Sequence, residues 1–145
     1  MTIMLSEHVD LREVVAKTIY EHPAIGDRAI DFIHINLATT VEALRLNLDD
    51  TVIINDWMWG GKRVNSGLRD WHFPEGAPYS SHYYGNTFDA IFKKHSAQQI
   101  YAHILSNQDK YPFITRMEDI VLTPTWNHIE VGYRRYGQIY IIRKD

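Results

Sequence analysis

The sequence predicts a single α+β domain in which helices come first and a small, mostly antiparallel sheet follows. Apolar residues recur at spacings of three and four over the N-terminal third and again near residue 100. The remainder holds short β-branched and aromatic runs bounded by Gly, Pro, Asn and Asp, the pattern of strands and turns. The chain has 145 residues, a length suited to one compact core, and no repeat, linker or low-complexity tract divides residues 1–145.

The segment DLREVVAKTIYEH (10–22) is the first expected helix. Asp10 can cap it, Glu13 stands at the capping-box position, and Leu11, Val14, Val15, Thr18 and Ile19 share one face. Pro23 and Gly26 end it. DRAIDFIHINLATTVEALRLNLDD (27–50) reads as one longer helix with Ile30, Ile33, Leu37, Val41, Leu44 and Leu48 along a stripe. TVIIN (51–55) is a short strand. The segment from Asn55 to Gly85 is a long loop rich in Trp, Tyr and Gly, fit either for recognition or for covering a small core. TFDAIF (87–92) is a second strand, and SAQQIYAHILSNQ (96–108) a third helix capped by Ser96. EDIVLT (118–123), WNHIEVGY (126–133) and QIYIIRK (138–144) are strand-like, and YRRYGQ (133–138) is expected to join the last two as a hairpin, with Gly137 taking a positive φ.

Hydrophobic residues make up 45% and charged residues 23%, a globular balance that argues against disorder. The net charge is −3 and no basic stripe is present, which argues against nucleic acid as a partner. Cysteine is absent, removing disulfides, thiolate zinc ligands and a cysteine nucleophile together. MTIMLSEHVD lacks the basic start and apolar core of a signal peptide, and no apolar stretch is long enough to span a membrane.

The chemistry concentrates in SSHYYGNTFD and TWNH. Zinc sites in hydrolases offer three protein ligands, nitrogen or carboxylate oxygen, and leave a fourth position for water. His82 and Asp89 supply two candidates and His128 a third, and neighbouring strands of one sheet would bring Asp89 and His128 together. Glu130 shares the face of His128 on an extended strand, which makes it a candidate base or a partner of that ring. Asp70 and His72 are further candidate bases. His8, His22, His34, His95 and His103 read as surface or helix-face residues. Trp126 reads as core packing, and Trp57, Trp59 and Trp71 read equally as cleft wall or core cover.

These residues carry a resemblance. SSHYYGNTFD fits Ser-x-His-x-x-Gly-x-x-x-Asp, TWNH fits a later Trp-x-His, and VNSGLR is similar to a Ser-Gly-Tyr-Arg segment that precedes the metal loop. Together they resemble the peptidase M15 family of D-Ala-D-Ala carboxypeptidases and L-alanyl-D-glutamate endopeptidases, and LSEHVDLREVV is similar to the opening helix of its short phage branch. The resemblance implies the hedgehog/DD-peptidase fold and a Zn2+ site made by His82, Asp89 and His128. It also implies a loop shaped by Ser80 and Gly85, with Arg69 binding a substrate carboxylate. The implied substrates are peptidoglycan stem peptides. The implied setting is a phage lysis or entry protein, held in the infected cytoplasm before release to the wall or carried on the virion. Many family members place Glu or Asp three residues before the last histidine, whereas Thr125 stands there in this chain. That departure supports a second reading, a virion or binding protein that keeps the fold, with or without the metal, and has no catalysis.

Overall fold

The computed structural model describes residues 2–72, 77–135 and 137–144 and has the α+β class that the sequence predicts. Strands β1 (Val52–Ile53), β2 (Thr87–Phe92), β3 (Ile114–Glu118), β4 (Asn127–Val131) and β5 (Tyr140–Ile142) form one sheet in the order β1-β2-β4-β3-β5. The β1–β2, β2–β4 and β3–β4 pairs are antiparallel, and only β5 runs parallel to its neighbour, β3.

Strand periodicity divides this sheet into two faces. Phe88 and Ala90 of β2, Ile129 of β4 and Met117 of β3 are fully buried. They join Leu37, Val41 and Leu44 of helix α3 (Ile35–Leu48) and Ile100 and Ile104 of helix α4 (Ala97–Ser106) in one apolar cluster. The alternate positions, Thr87, Asp89, His128, Glu130 and Arg116, are paired across the opposite face. Helix α4 begins where its sequence says: Ser96 Oγ accepts from the Gln99 N–H, and the Gln99 side chain accepts from the Ser96 N–H.

The first expected helix is in fact two short ones, α1 (Leu11–Val14) and α2 (Lys17–Tyr20). The Asp10–Glu13 capping box forms as expected, but Val15 is extended, with φ −124° and ψ 137°. The reason is a distant backbone partner. The Leu68 N–H donates to the Val14 carbonyl at 2.7 Å and the Ala16 N–H to the Leu68 carbonyl at 2.8 Å, so these groups are taken by a bridge instead of a helix. The second expected helix is also interrupted. Gly26–Phe32 is a 3-10 turn, and α3 starts only after His34, whose Nδ1 accepts from the Asn36 N–H. The His34 N–H meanwhile donates to the Gly85 carbonyl, 2.9 Å away. Gly85 has φ +70°, and a Cβ there would stand 1.6 Å from the Phe32 carbonyl oxygen, so the break and the loop before β2 require each other.

Two strand expectations are corrected. EDIVLT contributes only Glu118 to a strand; β3 is ITRME, and Asp119 folds the following residues into a turn by accepting from the Val121 N–H through Oδ1 and the Leu122 N–H through its carbonyl. The expected β4–β5 hairpin does not form. Arg134 donates to the carbonyls of Gln108, Tyr111 and Ile114, drawing the connection across the start of β3, so β5 pairs with β3 instead. Gly137 does take its positive φ, at +70°, while Tyr136 of the same segment and residues 73–76 of the long loop lie outside the described residues. Trp126 is 37% exposed, not core. Among the described residues no helix is long and apolar enough to cross a membrane.

Two buried carboxylates tie the helices to the sheet. Glu13 accepts from Arg45 of α3 at 2.6 Å, and Arg45 also donates to the Val52 carbonyl of β1. Asp50 accepts from the Thr51 and Lys94 N–H groups and pairs with the His95 ring at 2.7 Å. Burial alone would push the Asp50 carboxyl up, but these bonds outweigh it and hold the group below its ordinary value near 3.8. A carboxyl depressed in the folded state stabilises above its unfolded pKa and loses that contribution as pH falls through the folded value. Urea unfolding between pH 7 and pH 2 should therefore show stability declining below about pH 4, and Asp50→Asn should remove part of that dependence while lowering stability at pH 7.

Candidate metal centre

The site is built from the segment Arg63–Arg69, which runs between the α1–α2 break and β2. Asn55, fully buried at the end of the β1 run, aligns it: its Nδ2 donates to the Val15 carbonyl, and its Oδ1 accepts from the Ser66 N–H. The Asp89 N–H then donates to the Ser66 carbonyl at 2.7 Å, and Arg63 donates to the Asp89 and Ile54 carbonyls. Gly67 sits against α1 so closely that a Cβ would meet the Val14 carbonyl oxygen at 2.1 Å. Its own carbonyl lies 2.9 Å from His82 Nδ1. A carbonyl only accepts, so Nδ1 carries a proton and Nε2 is the nitrogen turned towards Asp89.

His82 occupies the 3-10 turn Ser81–Tyr84, whose start is capped by Ser80 Oγ accepting from the His82 N–H, and is 2% exposed. Asp89 and His128 are directly opposed on β2 and β4, the neighbouring-strand arrangement that the sequence suggests. His82 Nε2 lies 3.2 Å from Asp89 Oδ2, and His128 Nδ1 lies 2.9 Å from Asp89 Oδ1. One ligand atom from each of the three residues falls within 4.8 Å of the others, close enough to share one cation.

His128 is oriented from behind. Its Nε2 is 3.3 Å from Glu130 Oε1, which also accepts from Ser81 Oγ at 3.0 Å, while Glu130 Oε2 lies 3.5 Å from Arg116 Nε. Burial disfavours a charged ring here, but the hydrogen bonds to Asp89 and Glu130 outweigh it and raise the His128 pKa to about 9. Burial likewise pushes Asp89 up, and the bonds and charges of the two histidines hold it well below the usual carboxylate range. Without a cation, then, a protonated His128 bridges two carboxylates. A cation held here would take the place of the Nδ1 proton, and Glu130 would keep the Nε2 proton.

The donor set fits a divalent ion of the zinc class: two imidazole nitrogens whose tautomers are set by outside acceptors, plus one carboxylate. Glu7, His8 and Glu42 form a second group of possible ligands, but an exposed one. The other sequence candidates fall around the centre. Arg69 is on it: Nη2 donates to Asp89 Oδ2 at 3.0 Å and Nε to the Asn65 carbonyl at 2.7 Å. Asp70 and His72 pair with each other at 3.1 Å, on the wall of a 440 Å³ apolar pocket that Arg69 also lines. In that pocket Trp71 stacks on Tyr83 at 5.0 Å, which makes it cleft wall; Trp57 instead packs beside Tyr20. Sequence reasoning missed Asn55, Arg63, Ser81 and Arg116. Asn55 carried a signal, a polar residue closing a β-branched run. Arg116 carried none while ITRME was unread as a strand.

Compared with protein-family models, curated proteins and solved structures, the chain has no significant match.

Two substitutions test this construction. Gly67→Ala should destabilise the fold by about 1–3 kcal/mol in urea titration, because backbone must move to admit the methyl, and should weaken zinc binding by displacing the acceptor of His82. Glu130→Gln keeps the shape but removes the charge behind His128, and calorimetry should show zinc affinity falling about 10- to 100-fold.

Proposed function

We propose that this protein is a zinc-dependent peptidase of the peptidase M15 type, with the hedgehog/DD-peptidase fold, that cuts peptide bonds in peptidoglycan stem peptides as a phage lysis or entry protein. The observation that carries the reading is the convergence of His82 Nε2, His128 Nδ1 and the Asp89 carboxylate, with the other nitrogen of each ring on an acceptor outside the cluster. The order of Ser80, His82, Gly85, Asp89 and His128 along the chain supports the family assignment.

In this reading His82, Asp89 and His128 hold the zinc, which supplies Lewis acidity and a water acidified towards a pKa of ~7. The protein's own groups divide the remaining work. Gly67 and Glu130 keep the two imidazoles in the ligating tautomer, and Arg69 fixes the Asp89 carboxylate. Glu130 is held on the far nitrogen of His128, with the ring between it and the ligating Nδ1, so it positions that ring and is not the base. Asp70 and His72 are left as the accessible proton carriers: their side chains are 38% and 95% exposed on the rim beside Arg69, and their mutual bond can orient the imidazole for proton transfer.

A second reading, a binding protein that retains the metal without cleavage, is favoured by Thr125, which puts no carboxylate before His128. One experiment separates the two. Purified protein should contain about one zinc per chain by elemental analysis and release soluble peptides from peptidoglycan; a chelator should stop the release, and His82→Ala should abolish it. Zinc without release selects the binding protein. Full activity in His82→Ala overturns both the centre and the mechanism.

A further inference from the structure

On the same sheet face as the metal ligands, beyond Glu130, lies an open cleft of about 600 Å³ that the proposed mechanism does not use. It begins one side chain from the centre, because Glu130 both lines it and contacts His128. Its walls bring together Arg116, Arg135, Tyr133, Tyr140 and Gln138. In a chain of net charge −3, this is a local excess of guanidinium, and the one carboxylate in the lining, Glu130, is already engaged by His128, Ser81 and Arg116.

Arg69 and Arg116 differ in what they can still do. Arg69, to which carboxylate recognition is assigned by resemblance, donates to the Asp89 carboxylate and the Asn65 carbonyl, and its side chain is 18% exposed. Arg116 is 49% exposed and stands opposite Glu130 in the β3–β4 register. Its guanidinium lies 5.7 Å from the centre of the Tyr140 ring, a cation–π contact within the cleft that both residues line. A half-exposed, pre-ordered guanidinium gives up little hydration on meeting an anion and offers it two parallel donors. Arg134, also in the lining, is spent on backbone carbonyls.

We propose that Arg116, backed by Arg135, is a substrate-carboxylate clamp, so that the centre selects peptides carrying a free carboxylate in the segment that fills this cleft. The inference rests on the peptidase reading, and its test keeps the two apart. The probes are a pair of stem peptides differing only in that the side-chain carboxylate is free or amidated, given to zinc-loaded wild type, Arg116→Ala and Arg116→Lys, with zinc content measured for each. Wild type should prefer the free acid by about 10- to 100-fold in kcat/KM, as a charge-assisted pair requires. Arg116→Ala should lose the preference chiefly through KM, and Arg116→Lys, which keeps charge without the fork, should fall between. An unchanged preference in Arg116→Ala, or equal loss on both peptides, overturns the clamp. If wild type cleaves neither peptide, the peptidase reading fails instead. Calorimetric binding of the same pair then decides the cleft: tighter binding of the acid to wild type than to Arg116→Ala supports it, and equal binding overturns it.

Discussion

Everything at the centre depends on how the backbone of residues 66–69 is held. The Ser66 carbonyl takes the Asp89 N–H, the Gly67 carbonyl takes the His82 ring, and the Leu68 N–H and carbonyl are bonded to Val14 and Ala16. Arg69 closes the loop twice, with its N–H on the His82 carbonyl and its guanidinium on Asp89. One short segment thus sets the position of two candidate ligands, Asp89 and His82, and orients the ring of the second. It is itself located by the break between α1 and α2. The extended Val15 is therefore part of the site, although it lies far from any ligand in sequence, because without the break there would be no free backbone for Leu68 to meet.

What could be read from the sequence was what local chemistry decides. The Ser96 cap, the TFDAIF strand, the Asp10–Glu13 box and the positive φ of Gly137 all follow from a few adjacent residues, and all are present. The failures share a cause. Val14 and Val15 fit a helical stripe, but their backbone is claimed by Leu68, which no window of the sequence contains. QIYIIRK was rightly a strand, yet its partner was set by Arg134 reaching three carbonyls on the other side of β4. ITRME was overlooked because Thr, Arg and Glu break its apolar alternation, although Ile114 and Met117 are fully buried. For the site, residue types and order singled out His82, Asp89 and His128, which the fold brings together; the acceptors behind them are a backbone carbonyl and a carboxylate whose role shows only in three dimensions.

The arrangement around His128 keeps the buried carboxylates of the candidate centre paired within the protein itself. Three ligands facing an empty space would leave a buried carboxylate unpaired, which is strongly destabilising. Here the His128 proton and the Arg69 guanidinium neutralise Asp89, and Arg116 with His128 does the same for Glu130. The protonated ring occupies the role of the cation. A metal held there would compete with the proton for one nitrogen, so stability without metal and affinity for metal would oppose each other.

Two guanidiniums flank this centre, and their different surroundings argue for different work. Arg69 faces inward and its charge is consumed by a ligand, so its energetic role is in geometry: removing it would free Asp89 to rotate and would unpair a buried carboxylate. Arg116 shares a carboxylate that has other partners and keeps half its surface in solvent. An arginine whose removal leaves Glu130 still bonded to His128 and Ser81 is not needed to hold the fold together. Its place beside Tyr140, in the lining of a cleft that starts beside His128, is therefore better explained by what it meets from outside than by what it supports within.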